Sequence, residues 1–273
     1  MKHSFFKLVL ALTLLVVGAD VARAQFSLGV NGIEFLGAAD SVAITQPTSV
    51  HTSAIVMVRT KPKTQFGIGR SAITTIPSVE VGWNVLSNVS YGAPYAEAGV
   101  GDFLDINNWK SMQVTVNLFH LSAYSHSHKV GATIGLGVRA NNYRFASDLS
   151  LSRAGGVVMP YNPSEMATRS VKKSKFNIAS VHIPVEVMFG RPNKFAFSVG
   201  GYVDMVMNSH TKIKYQGGRK EKEHNYPVNF IQAGVTARLT FSWFSIFATY
   251  QPTQIFKDNR GPRAQQWTIG IGF

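Results

Sequence analysis

The chain has 273 residues, and charged residues make up only 15% of it, against roughly 25% in soluble domains. Its 24 glycines and 18 phenylalanines favour strands over a disordered or charged helical chain, and its net charge is +13. The absence of cysteine excludes disulfides, thiol chemistry and cysteine-based metal sites.

Residues 1–24 are typical of a secretory signal peptide. Lys2 and Lys7 give a basic start, residues 8–17 are almost entirely apolar, and Ala22-Arg23-Ala24 places small residues before a cleavage site ahead of Gln25. Ten apolar residues are too few to cross about 30 Å of hydrocarbon as a helix. Cleavage removes three basic residues and one acidic residue, which lowers the net charge from +13 to +11. We therefore expect an exported chain without a transmembrane helix.

Residues 25–77 precede the regular pattern of the chain. Two strand-like pieces, Phe26–Phe35 and Ala54–Thr60, are interrupted by Pro47 and Pro62. They would either add two strands to the sheet that follows, giving ten in all, or form a separate periplasmic extension. We favour the extension, with the main domain covering residues 78–273.

From Ser78 onward the sequence alternates with period 2 in eight segments. Each is long enough for a tilted membrane-spanning strand, which needs about 9–11 residues. The predicted strands are Ser78–Ser87, Ser111–Leu121, Lys129–Phe145, Phe176–Phe189, Lys194–Asn208, Val228–Thr240, Trp243–Gln251 and Gln265–Phe273. Pro184 cannot donate to a ladder, so we expect a bulge or a rim position there.

The last segment indicates which surface faces lipid. Trp267, Ile269, Ile271 and Phe273 share one face, while small or polar residues occupy the other. A membrane barrel typically places large apolar residues against the acyl chains and small or polar residues in a filled lumen. A terminal aromatic residue on such a strand resembles the insertion signal that the barrel-assembly machinery reads in Gram-negative outer-membrane proteins. The sequence predicts an all-β fold, a transmembrane antiparallel up-and-down β-barrel of eight strands in the cell outer membrane.

The connectors alternate in length. Long ones cover residues 88–110, 146–175 and 209–227, and short ones cover 122–128, 190–193 and the corner at Phe241–Ser242. Outer-membrane barrels have short periplasmic turns and long outer loops. The alternation therefore places both chain ends on the periplasmic side.

Several stretches resemble the Bacteroidota outer-membrane beta-barrel domain proteins, small barrels grouped with the PorT-type family. The resemblance covers about Val79 to Phe273 and rests on Phe103–Asn107, Gly135–Gly137, Asn141–Phe145, Ser209–Tyr215 and Gly234–Arg238. It implies an eight-stranded barrel with no catalytic residues and no cofactor. The PorT-type relatives imply an accessory role in protein export.

Several charged residues occupy the alternate strand positions that are predicted to point into the lumen. The set comprises Glu80, Arg139, His182, Glu186, Asp204 and Arg238. An eight-stranded barrel is just wide enough to be filled by side chains, and buried charges must be paired. We expect a structural network that fills the lumen; the alternative is a narrow conduction path or a proton site.

The long connectors carry most of the basic charge. The basic residues predicted to face lipopolysaccharide are Lys172, Lys173, Lys175, Lys212, Lys214, Arg219 and Lys220, and Arg153, Arg169, His210 and Lys222 lie near them. Such residues bind phosphate, so lipopolysaccharide is the expected partner; simple solvation of the loops is the alternative. Nucleic-acid binding is disfavoured, because no aromatic residues interleave with the charges in a recognisable module.

Aromatic residues cluster near predicted strand ends, where interfacial girdles are expected. The outer group is Trp83, Tyr91, Trp109, Tyr143, Phe176, Tyr226 and Tyr250, and the periplasmic group is Phe189, Phe195, Trp243 and Phe273.

Two other constellations predict no chemistry. His120, His126 and His128 bracket the first short turn, but no carboxylate lies near them, so no metal site is predicted. Ser209 and His210 are adjacent on a strand and point to opposite faces, so no catalytic site is predicted. Three hypotheses remain: a non-enzymatic envelope barrel that binds a ligand or an envelope protein through its loops, an export accessory, and a narrow channel.

Overall fold

The computed structural model describes residues 25–30, 34–36, 65–68, 75–124, 129–164 and 170–273. The predicted signal peptide, the piece Ala54–Thr60, and Arg169, His126 and His128 lie outside the described residues.

The described elements are mostly strands, with one short helix α1 (Ala93–Glu97) and a 3-10 turn (Asn108–Lys110). The strands are β1 (Gln25–Val30), β2 (Glu34–Leu36), β3 (Gln65–Ile68), β4 (Val79–Ser90), β5 (Met112–Tyr124), β6 (Val130–Arg144), β7 (Ser150–Ala154), β8 (Val157–Tyr161), β9 (Val171–Arg191), β10 (Phe195–Tyr215), β11 (Lys220–His224), β12 (Ile231–Phe241), β13 (Phe244–Gln251) and β14 (Arg263–Gly272). No helix among these residues has the length and apolarity needed to traverse a bilayer.

Eight strands of the described chain close into an antiparallel barrel. The order is β4, β5, β6, β9, β10, β12, β13 and β14, and β14 pairs back onto β4 through Ile271 opposite Val81. Neighbours around the barrel follow each other in sequence except where small strands are inserted. The predicted fold and its eight strands are confirmed.

The barrel is apolar outside and polar inside. On β14, Trp267, Ile269 and Ile271 are 46%, 60% and 37% exposed, whereas the intervening Gln266 and Thr268 are buried. A water-soluble sheet would bury the large apolar side chains instead. On β9 the apolar outward face runs from Phe189 to Ala179, about 33 Å of strand at 3.3 Å per residue. At a tilt of about 40° this gives roughly 25 Å, the height of the apolar band of a membrane barrel.

Strands β9 and β10 continue well past this band. Each has 21 residues, and β11 adds to β10 to form a sheet beyond the barrel. We call this extension the projecting sheet: residues 141–144 of β6, 171–178 of β9, 208–215 of β10, and β11. The prediction of loops over residues 146–175 and 209–227 is therefore wrong in part. Side chains still alternate between the two faces there, but the outward residues are lysines that face water. The apolar pattern therefore ends before the strands do.

Pro184 lies in mid-strand, and the expectation of a bulge or rim position is wrong. It stands opposite Tyr202 on β10, and the β6–β9 register is the same on both sides of it, with Ile134 opposite Val185 and Gly137 opposite His182. The ladder to β6 lapses beside the proline, because proline has no N–H to donate. The Pro184 ring fills the space next to Gly135 that a side chain would occupy. A Cβ atom built on Gly135 would lie 2.9 Å from Pro184 Cγ.

The described strands before the barrel attach to one part of its wall. β1 pairs antiparallel with the end of β5, from Phe119 to Tyr124, and β3 pairs with both β1 and β2. Barrel strand β4 covers only the beginning of β5, with Val79 opposite Val116. The backbone of β1 thus continues the sheet along an edge of β5 that β4 does not reach.

Candidate functional site

The half of the lumen nearest the short turns holds a charged triad. Arg238 Nη2 lies 2.6 Å from Glu80 Oε1 and 3.0 Å from Glu186 Oε1. Ser198 Oγ donates to Glu186 Oε2 over 2.7 Å, and the three charged side chains are at most 3% exposed. Residues 75–77 are also buried, and Thr75 Oγ1 lies 3.4 Å from Glu186 Oε2. One guanidinium thus bridges two carboxylates from distant strands.

A second network joins the other predicted lumen residues. Arg139 Nη1 lies 2.9 Å from Asp204 Oδ2, and Arg139 Nη2 lies 2.9 Å from His182 Nε2. Because arginine only donates, Nε2 of His182 accepts, and its Nδ1 donates to Asp204 Oδ1 over 2.6 Å. The Arg139 guanidinium also stacks 4.4 Å from the ring centre of Tyr202 and donates to Thr115. The structure therefore brings all six predicted residues into two adjoining networks.

Amide side chains fill the next level of the lumen. Gln266 Nε2 and Thr268 Oγ1 donate to Asn84 Oδ1 over 3.1 Å and 2.8 Å. Asn84 Nδ2 donates to Asn141 Oδ1 over 3.2 Å, and the Tyr143 hydroxyl donates to Gln266 Oε1. These side chains are buried and occupy the space between the charged networks and the outer end.

An aromatic core closes the outer end. Phe176 stacks on Phe256 and Tyr143 with ring centres 5.6 Å and 6.1 Å away, and its edge contacts Tyr226 at 5.3 Å. The other buried members are Tyr95, Phe103, Leu104, Ile106, Phe145, Leu151, Val158, Ile178, Val206, Val228, Ile255 and Ala264. The outer connectors thus fold over the barrel mouth as a cap with its own apolar core.

This cap corrects part of the predicted aromatic girdle. Tyr143, Phe176 and Tyr226 are at most 5% exposed and point inward, not toward lipid. The sequence contained the signal, because Tyr143 has the same strand parity as the inward residues Arg139 and Asn141. In contrast, the four aromatics predicted for the periplasmic end, Phe189, Phe195, Trp243 and Phe273, are 46–66% exposed on the outside of the barrel.

The predicted non-catalytic pair occupies structural positions. Ser209 is 4% exposed, and its Oγ accepts a hydrogen bond from the Tyr226 amide over 3.0 Å. His210 lies on the opposite face, with its ring centre 5.2 Å from that of His224. The described residues contain no group of three or more metal-ligating side chains.

The projecting sheet carries two rows of basic residues on its outward face. Residues directly opposite each other in neighbouring strands lie on the same face, with Cβ atoms about 4.5–5.5 Å apart. The lower basic row is Arg144, Lys175, Lys212 and Lys222, and the upper basic row is Lys173, Lys214 and Lys220. Below them, next to the apolar band, a polar row contains Asn142, Asn177, His210 and His224.

The opposite face of the same sheet takes the acidic residues. Strand β11 reads Lys-Glu-Lys-Glu-His, so its lysines and glutamates point to opposite sides. Glu221 accepts from the Tyr215 hydroxyl over 2.8 Å, and Glu223 accepts from the Tyr226 hydroxyl over 2.9 Å. Alternation thus separates the charges, and the outward face is left basic.

Five of the seven predicted lipopolysaccharide-facing residues lie in these rows. Lys172 is the extra residue of a β-bulge beside Tyr215, and Arg219 lies in the β10–β11 turn, 3.5 Å from Glu221. Arg144 and Lys222 complete the lower row; Lys222 was counted among the neighbouring basic residues of the connectors, whereas Arg144 was assigned only to a barrel strand. Their signal was strand parity: each stands opposite a lysine once the strands continue beyond the apolar band.

Comparison with known proteins gives few matches. No family description matches the chain, and no curated protein matches it. Matching solved structures include two crystal structures of Ail, the attachment invasion locus protein of Yersinia pestis. One has 14% identity and a TM-score of 0.31, covering 71% of this chain and 93% of that chain. The other, in complex with the heparin analogue sucrose octasulfate, has 11% identity and a TM-score of 0.29 with the same coverage.

Proposed function

We propose that this chain is a non-enzymatic outer-membrane protein that works through its outer surface by binding the phosphate groups of lipopolysaccharide. One observation carries the proposal: the lumen is occupied by buried side chains, while the projecting sheet gathers cations on its outward face. Ammonium and guanidinium groups bind phosphate through charge-assisted hydrogen bonds. Lipopolysaccharide supplies such phosphates at the outer side of this membrane.

A narrow channel has less support from the geometry. Conduction requires a continuous path that ions can enter and leave. In the described part of the chain, two ion-pair networks, an amide layer and an aromatic cap follow one another along the barrel axis. Opening a path would break buried ion pairs, at a cost of several kcal/mol each.

Catalysis has little support for a related reason. His182 and Asp204 form the kind of pair that orients a general base, but both are at most 2% exposed. The second imidazole nitrogen is already held by Arg139. A base must reach the proton that it abstracts in a bound substrate, and these two side chains are enclosed by the lumen.

Two measurements test the proposal. In planar bilayers the refolded mature protein should produce no discrete conductance steps, because the lumen is filled. In a phosphate-free detergent, the protein should retain diphosphoryl lipid A and release it as salt rises, since exposed ion pairs are screened. Steady conductance, or equal retention of lipid A and its dephosphorylated form, would overturn the proposal. A deletion strain that fails to secrete proteins, with lipid A retention absent, would favour the export role instead.

A further inference from the structure

We infer that the two basic rows of the projecting sheet form a lipid-phosphate clamp, which holds the phosphates of outer-leaflet lipids packed against the barrel wall. This inference rests on the proposed function and names its site: Arg144, Lys175, Lys212 and Lys222 in the lower row, with Lys173, Lys214 and Lys220 above them.

The rows place like charges directly opposite each other across three strand pairs. Lys212 stands between Lys175 and Lys222, and Lys214 stands between Lys173 and Lys220. Like charges in directly opposite positions destabilise a sheet. None of the seven basic side chains lies within 4 Å of a carboxylate of the described residues. An anion bound between the rows would offset this repulsion.

Lys175 is the most constrained member. Its Nζ donates to Asn142 Oδ1 over 2.8 Å, which fixes the amine over the wall of the barrel. Burial lowers the pKa of Lys175, and the charges of Lys173, Lys212 and Lys222 lower it further. A phosphate next to this amine would favour its charged form, so the site is electrostatically prepared for an anion.

The height of the rows identifies the ligand as a membrane lipid. On β9, Ala179 is the last outward apolar residue, and Asn177, Lys175 and Lys173 follow at two-residue intervals. Each interval rises about 6.6 Å along the strand, or about 5 Å along the membrane normal at a tilt of about 40°. The lower row therefore lies about 10 Å above the apolar band, where lipid headgroup phosphates are found.

The width of the rows fits several phosphate oxygens. Four strands about 4.8 Å apart span roughly 14 Å, and a phosphate between two neighbouring amines contacts both. A lipid with two phosphates would engage two positions of the lower row, or one position in each row. The clamp therefore favours diphosphorylated lipids over lipids with a single phosphate.

Matched variants test the clamp. Lys175→Gln, Lys212→Gln and Lys222→Gln together remove three charges from the lower row. Lys110→Gln, Lys257→Gln and Arg260→Gln remove the same charge from exposed positions that lie outside the projecting sheet. Native mass spectrometry in a phosphate-free detergent would measure the affinity for diphosphoryl lipid A. Heat-modifiable gel mobility would show that each variant is folded.

The row variant should bind diphosphoryl lipid A about 100-fold more weakly, and the control variant within about twofold of wild type. Replacing the same three lysines by arginine should restore binding. Equal weakening in both variants, or binding of a soluble hexakisphosphate as tight as that of lipid A, would overturn the clamp. If the wild type itself retains no lipid A, the proposed function fails. If the wild type retains lipid A and the row variant binds it as tightly as wild type, the clamp alone fails.

Discussion

Arg238 and Glu80 form a buried ion pair at 2.6 Å that joins the first barrel strand, β4, to β12. Because Glu186 shares the same guanidinium at 3.0 Å, the triad has one positive and two negative side chains. Removal of the shared arginine should therefore cost more stability than removal of one carboxylate charge.

Arg238→Met should destabilise the barrel by about 3–5 kcal/mol, because it leaves two buried carboxylates without a counter-charge. Glu80→Gln should cost no more than about 1–2 kcal/mol, since its amide oxygen still accepts from Arg238 and a neutral Arg238–Glu186 pair remains. Urea unfolding in lipid vesicles measures both values. Arg191→Met, at an exposed periplasmic position, is the control and should be near neutral. Equal costs for Arg238→Met and Glu80→Gln would contradict the triad.

Gly135 and Pro184 should be energetically coupled. A Cβ at residue 135 would lie 2.9 Å from Pro184 Cγ, so Gly135→Ala should destabilise by about 1–3 kcal/mol. In a Pro184→Ala background the same change should cost less, because the ring that obstructs the Cβ is gone. A double-mutant cycle on unfolding free energies measures the coupling. Gly101→Ala, where nothing lies within 4 Å, is the control, and additive effects at residues 135 and 184 would refute the contact.

Tyr95 should make the outer cap sensitive to alkali. Its hydroxyl donates to the Val158 carbonyl over 2.8 Å, and burial, assisted by neighbouring Tyr91, raises the pKa of Tyr95 to about 12. The unfolded value is about 10, so the folded state favours the neutral phenol. This stabilisation is complete below about pH 10 and is lost as pH rises toward 12.

Tyrosinate absorbance and unfolding midpoints, followed together, test the effect of Tyr95. The difference between wild type and Tyr95→Phe isolates its contribution from that of the other tyrosines. An ionisation of Tyr95 near the ordinary tyrosine pKa would contradict its burial.

The tryptophans should report the position of the membrane. Trp267 is 46% exposed on the lipid face of β14, whereas Trp109 is 82% exposed in the outer connector before β5. The chain has four tryptophans, so single-tryptophan variants are practical. Brominated acyl chains should quench Trp267 fluorescence strongly and Trp109 weakly. Equal quenching would be incompatible with the apolar band described here.

Sequence patterns predicted the barrel well where one face of a strand met lipid. Period-2 alternation located all eight barrel strands, with ends within a few residues for most of them. It failed at the outer ends of β9 and β10, because the outward residues change there from apolar side chains to lysines while the backbone ladder continues. Arg144 was missed as a surface cation because it lies at the end of a predicted barrel strand, and Lys172 and Arg219 were grouped with lysines although their side chains lie outside the two rows.

The sequence by itself determined which residues face inward, since a strand turns alternate side chains to opposite sides. That rule selected the six charged lumen residues without any knowledge of their contacts. Only the tertiary structure decided which charges meet, because strand register around a closed barrel brings Glu80 to Arg238 across 158 positions of sequence. It also decided that the outer connectors close the mouth and that seven basic residues stand in two rows, since both depend on how far neighbouring strands continue together.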